Sequence, residues 1–127
     1  MLKRTLILTA LSTCLIITVT PTLASGGAQD APQPITVRGQ IWDSTCAAAG
    51  SHGKLMNKMK AKDAKECTLE CVKAGAQFVL YNTDDKTVYR LDSQEMMKQY
   101  AGQTVTVIGS YDRATGTIRV DRVETEP

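Results

Sequence analysis

Residues 35–42 read ITVRGQIW, and this stretch decides the fold. Its apolar residues Ile35, Val37 and Ile41 alternate with other residues, and a period of two is typical of a strand with one face in a core. Gly39 lies inside the strand, where glycine often marks a bulge or a tight bend of the kind that barrels need. We therefore predict that this strand opens a strongly curved sheet.

Four more strands are predicted later in the chain from apolar patterns and the turns between them. A polar turn joins the second strand to the third as a hairpin, and a five-residue loop that ends in glycine joins the last two. A short helix separates the two pairs, since Asp92 and Glu95 have the spacing of a capping box and Gly102 can end the helix. The predicted strands span residues 77–81, 86–91, 104–111 and 117–123.

A cysteine-bearing insert, residues 46–75, lies between the first and second strands. Asp63 and Glu66 again have capping-box spacing, and Gly75 can close the helix that they begin. The chain is thus predicted to be mainly β with two short helices. Its element order is that of a five-stranded OB-like barrel with a helical insert, and a small α+β sheet is the alternative.

The N-terminus has the pattern of an export signal. Lys3 and Arg4 precede the apolar stretch 6–19, and small residues before Ser25 offer a cleavage site. The apolar run is shorter than the ~20 residues that a membrane span needs, so we expect no stable anchor after cleavage. We predict a signal peptide at 1–24, a flexible leader at 25–34 and one domain at 35–124, located in the periplasm or secreted.

Charge argues against a nucleic-acid ligand. The net charge of +2 comes from the signal, and without Lys3 and Arg4 the chain has 13 basic and 13 acidic residues. Single-strand binding needs a basic groove with aromatic platforms, and aromatic residues make up 5% of this chain. The lysines at 54, 58, 60, 62 and 65 are interpreted as a solvated face of the insert.

The insert contains the residues most able to carry chemistry. They are the chain's only histidine and three of its four cysteines, Cys46, His52, Cys67 and Cys71, since signal cleavage would remove Cys14. Cys67 and Cys71 are four apart on the predicted helix, so their Cβ atoms lie about 5–6 Å apart on one face. A disulfide needs Cβ atoms at about 3.8 Å, so a bond between these two would distort the helix.

Two interpretations of the cluster remain open. Cys46, His52, Cys67 and Cys71 could bind a soft metal ion, either zinc or copper, with Met56 and Met59 as additional thioether ligands for copper. Alternatively, Cys46 could form a structural disulfide with Cys67 or Cys71, and His52 would then be an exposed loop residue. A thiol-redox enzyme is a third class, and the lack of a Cys-x-x-Cys motif in the sequence weakens it.

Several segments resemble a family of short exported bacterial proteins of uncharacterised function. The shared patterns are D-S-x-C at 43–46, His52, C-T-x-x-C-V-K-x-G at 67–75 and A-G-x-x-V-x-V-x-G at 101–109. The resemblance covers about residues 35–123, and it implies that Cys46, His52, Cys67 and Cys71 act as one unit without implying a particular chemistry.

The sequence therefore predicts an exported, non-catalytic binding protein that holds copper or zinc. The alternative is an envelope accessory domain that one disulfide stabilises and that carries no metal. Expected partners are the metal ion or an unknown envelope protein, and nucleic acid is not among them.

Overall fold

The structure, a computed structural model, describes residues 31–127. The predicted signal peptide, Cys14 and residues 25–30 of the predicted leader lie outside this range. The first strand begins at Gln33, two residues before the predicted start of the domain.

Five strands form a closed barrel in the order β1-β2-β3-β5-β4. β1 pairs with both β2 and β4 and so closes the sheet, and only the β3–β5 pair is parallel among the described strands. This confirms the mainly β, OB-like barrel over the alternative, a small α+β sheet. The strands are β1 (Gln33–Asp43), β2 (Phe78–Tyr81), β3 (Val88–Leu91), β4 (Thr104–Asp112) and β5 (Thr117–Thr125).

The period-two pattern of β1 fills the barrel. Val37 and Ile41 are buried in its core, whereas Arg38 between them is exposed. Gly39 is needed for close packing, since a Cβ atom there would lie 2.7 Å from the backbone oxygen of Tyr81. Gly39 was expected to mark a bulge or a tight bend, and the bulge between described strands lies in the β4–β5 ladder, beside Gly109, rather than in β1. The core residues are Val37, Ile41, Phe78, Leu80, Leu91, Met97, Ala101, Val105, Val107 and Ile118.

The insert contains three helices rather than the single one that was predicted. They are α1 (Ser44–Ala49), α2 (Gly53–Met59) and α3 (Ala64–Lys73). The predicted cap of α3 is confirmed, because the Asp63 carboxylate accepts a hydrogen bond of 2.8 Å from the Glu66 N–H. The lysines predicted to be solvated are all exposed.

The helix between β3 and β4 has its N-cap one residue after the predicted cap, Asp92. It comprises α4 (Gln94–Met97) followed by a 3₁₀ turn (Lys98–Tyr100), and its N-cap is Ser93. The capping box at Asp92 and Glu95 was wrong. Asp92 instead accepts a hydrogen bond of 3.0 Å from the Val120 N–H and so ties the helix start to β5.

Candidate metal centre

A second apolar cluster, here called the insert core, lies between the three insert helices and the outer side chains of β1 and β2. Trp42 comes from β1, and Val79 and Tyr81 come from β2. The helices contribute the three cysteines, and partly buried Leu55, Met56 and Met59 pack at its edge. The buried members are Trp42, Cys46, Ala47, Cys67, Cys71, Val79 and Tyr81.

Asp43 places Cys46 in this core. It is the last residue of β1 and the N-cap of α1, and its Oδ1 accepts hydrogen bonds from Thr45 N (3.0 Å) and Cys46 N (2.8 Å). The carboxylate thus fixes the first turn of the helix that carries Cys46. Asp43 was not among the site residues that the sequence predicted.

The cysteines of α3 meet Cys46 from the other side. Their four-residue spacing places Cys67 and Cys71 on one face of the helix, as predicted. The Cys46 Sγ atom lies 3.7 Å from the Cys67 Sγ atom, and both side chains are fully buried. The three cysteines of the described chain are free thiols. Helix α1, which directly follows β1, and helix α3 therefore contribute cysteines to one sulfur cluster.

His52 is buried rather than exposed, with 9% of its surface accessible. Its ring lies edge-on to the Trp42 ring at a centroid distance of 4.3 Å, and Trp42 stacks on Tyr81 at 4.0 Å. Neither ring nitrogen of His52 has a hydrogen-bond partner among residues 31–127. A loop residue with no role would not be expected to bury an unsatisfied imidazole, because each unmade hydrogen bond costs about 1–3 kcal/mol.

The donor atoms form two overlapping groups that could hold a metal ion. Cys46, His52 and Cys67 form one, and Asp43, Cys46 and Cys71 form the other; within each group the donor atoms lie within 4.8 Å of one another. Met59 adds a thioether, with its Sδ atom 3.6 Å from the Cys71 Sγ atom. Each of the four predicted site residues thus belongs to at least one of two donor groups that share Cys46, and neither group contains all four.

Burial shifts the pKa values of Cys46, Cys71 and His52. It raises the pKa of Cys46 far above its usual range, and the neighbouring Asp43 adds to this shift. Burial also raises the pKa of Cys71 to about 11, with the charge of Asp43 as the next cause. The pKa of His52 is lowered by burial, against an opposing effect of Asp43. In the unligated site at neutral pH the His52 imidazole is therefore neutral and the Cys46 and Cys71 thiols are protonated. A protonated thiol is a poor nucleophile.

Sequence reasoning missed two contributors, Asp43 and Trp42. A signal for Asp43 exists, since an N-cap carboxylate bonds the N–H group three residues on, which here belongs to Cys46. Trp42 carries no comparable signal. Its contact with His52 follows only from how the insert folds back onto β1.

Comparisons with known proteins add a family match in the second half of the chain. The model of a family described as a protein of unknown function (DUF5818) matches residues 72–126, which begin directly after Cys71 and run to the end of the barrel. The match therefore includes none of the cysteines or His52. No curated protein and no solved structure matches the chain. Within residues 31–127, no helix is both long and apolar enough to cross a bilayer.

Proposed function

We propose that this chain is an exported, non-catalytic binding protein that holds a soft metal ion, copper or zinc, through Cys46, His52, Cys67 and Cys71. One observation carries the proposal: two sulfur atoms and a buried, unpartnered imidazole converge within 4.8 Å. Export is supported by the basic start and the apolar stretch at residues 6–19.

The spacing of the sulfur atoms supports tetrahedral or trigonal ligation. With Zn–S bonds near 2.3 Å, two thiolates on one tetrahedral ion lie about 3.8 Å apart. The Cys46 and Cys67 Sγ atoms are 3.7 Å apart before any ion binds. Binding would also provide a partner for the His52 nitrogen, so the ion removes a desolvation penalty that the folded chain otherwise carries.

The alternative function, a disulfide-stabilised accessory domain, is supported by the same 3.7 Å contact. Oxidation of Cys46 and Cys67 would join them and leave Cys71 as a single buried thiol. This interpretation gives no reason for the burial of His52 without a hydrogen-bond partner. The metal interpretation accounts for it, and we prefer it for that reason.

Thiol counting combined with metal analysis tests the proposal directly. The exported protein should be purified without chelators or reductants, and its metal content measured by mass spectrometry. We expect copper or zinc at one equivalent or more per chain, with three thiols that react only after denaturation with a chelator. One reactive thiol and no bound metal would refute the proposal and establish the disulfide alternative.

His52→Ala tests the imidazole as a ligand. We expect metal retention against a competing chelator to fall by roughly 10-fold or more, because even outer-shell partners of a metal contribute 10–100-fold. The far-UV circular dichroism of the metal-free protein should not change. Ser51→Ala is the matched control, since Ser51 is an exposed neighbour of His52. Equal metal retention in both variants would remove His52 from the site.

A further inference from the structure

We infer that the site holds two divalent ions of the zinc class, with the Cys46 thiolate bridging them. One ion would be bound by His52 and Cys67, and the other by Asp43 and Cys71. This inference rests on the proposed function, because it assumes that the cysteine cluster binds metal. It adds a second ion, a carboxylate ligand and a preferred charge for the metal.

The geometry provides two positions rather than one. The two donor groups share only Cys46, and each contains two further donors of its own. A thiolate sulfur has more than one lone pair, so it can bind two ions at once. Met59 lies beside the second position, where its Sδ atom is 3.6 Å from the Cys71 Sγ atom, and it can supply a further donor there.

Each position contains a buried polar atom that the described chain leaves without a partner. In the first position these atoms are the ring nitrogens of His52. In the second it is Oδ2 of Asp43, a side chain with 0% of its surface exposed. Capping of α1 uses Oδ1 alone, so the cap does not explain why Oδ2 is buried. Buried polar atoms are nearly always hydrogen-bonded or coordinated, and a metal ion satisfies Oδ2.

Charge balance favours two divalent ions. Three thiolates and the Asp43 carboxylate carry four negative charges, and His52 binds as the neutral imidazole. Among residues 31–127 no lysine or arginine is buried, so no basic side chain inside the insert core can compensate these charges. Two Zn²⁺ ions neutralise the four charges, whereas two Cu⁺ ions leave two of them uncompensated. A single Zn²⁺ bound by the Cys46 and Cys67 thiolates leaves the Asp43 carboxylate uncompensated. A buried charge without a partner is strongly unfavourable, so the neutral arrangement is preferred.

Asp43→Asn is the informative variant. Asparagine caps helices as well as aspartate does, so α1 should persist while the negative charge and one oxygen ligand are lost. The metal-free full chain should be titrated with Zn²⁺ under a competing chelator that removes weakly bound surface ions, and the retained zinc counted per chain. We expect two equivalents in the unchanged protein and one in Asp43→Asn.

Two further variants complete this test. Asp63→Asn is the matched control, because Asp63 is also an N-cap carboxylate but is exposed, and it should retain two equivalents. Cys71→Ser should retain one, and it keeps the inference testable if Asp43→Asn does not fold. One equivalent in the unchanged protein, unaffected by Asp43→Asn, would overturn the two-ion inference and leave the proposed function standing. If none of these proteins retains zinc, and a parallel titration of the unchanged protein with Cu⁺ leaves no copper bound, both are overturned.

Discussion

Cys46→Ser is expected to abolish metal retention at both positions of the cluster. Cys46 is the only residue common to the two donor groups, so its loss removes a ligand from each. The effect on affinity should be roughly 100-fold or more, since outer-shell partners alone contribute up to that much. The measurement is the zinc or copper retained per chain after equilibration with a competing chelator.

Serine is close to cysteine in size, so the metal-free variant should still fold. Cys67→Ser is the comparison, because Cys67 belongs to one group only and its loss should leave one ion bound. The free energy of unfolding of Cys46→Ser distinguishes the metal-binding function from the disulfide alternative. If a disulfide is the role of Cys46, the variant loses about 2–4 kcal/mol under non-reducing conditions whether or not metal is present. If metal binding is the role, the loss is seen only when metal is supplied. Full retention of metal by Cys46→Ser would place the site elsewhere.

The strands could be predicted closely because their pattern is local. A strand with one face in a core repeats every two residues, and Val37 and Ile41 of β1 show that repeat directly. Gly39 was recognised as special, but its reason is a contact with Tyr81, which is 42 positions away in the chain. Such close approaches depend on which strands become neighbours, and no window of sequence contains that information.

The helices of the insert were harder to predict for a related reason. α1 and α2 have six and seven residues, so neither is long enough to show a helical period or to be stable alone. Tertiary contacts hold them instead. A tertiary contact also overrides the local pattern at Asp92. Its carboxylate accepts a hydrogen bond from the Val120 N–H of β5 instead of capping its own helix.

The candidate site was also only partly predictable from the sequence. The candidate donors could be picked out from the sequence, because the chain's only histidine and three of its four cysteines lie within 26 positions. The buried state of His52 was not visible, because it depends on a wall formed by β1 and β2. The disulfide interpretation predicted an exposed His52, whereas in the structure His52 packs against Trp42 of β1.

Trp42→Ala is expected to have the largest effect on stability of the substitutions considered. Trp42 is 7% exposed, and its ring centroid lies 4.0 Å from that of Tyr81 and 4.3 Å from that of His52. Its Nε1 also donates a hydrogen bond to Oε1 of Gln40. Removal of a buried tryptophan costs about 3–5 kcal/mol of unfolding free energy. The variant should also hold metal less tightly, since His52 loses the ring that fixes its position. Urea denaturation of the metal-free protein measures the first effect, and chelator competition measures the second.

Val88→Ala provides the control, because Val88 is 42% exposed on the barrel and its loss should change stability by no more than about 0.5 kcal/mol. Trp42→Phe separates packing from hydrogen bonding, since phenylalanine preserves an aromatic face toward Tyr81 and His52 but cannot donate to Gln40. We expect Trp42→Phe to retain most of the metal affinity and to lose less stability than Trp42→Ala.

Two outcomes would contradict this prediction. If Trp42→Ala has the same free energy of unfolding as the unchanged protein, the insert is anchored to the barrel by other contacts. If it is destabilised but holds metal with unchanged affinity, His52 is positioned by its own backbone at the N-cap of α2 rather than by the Trp42 ring.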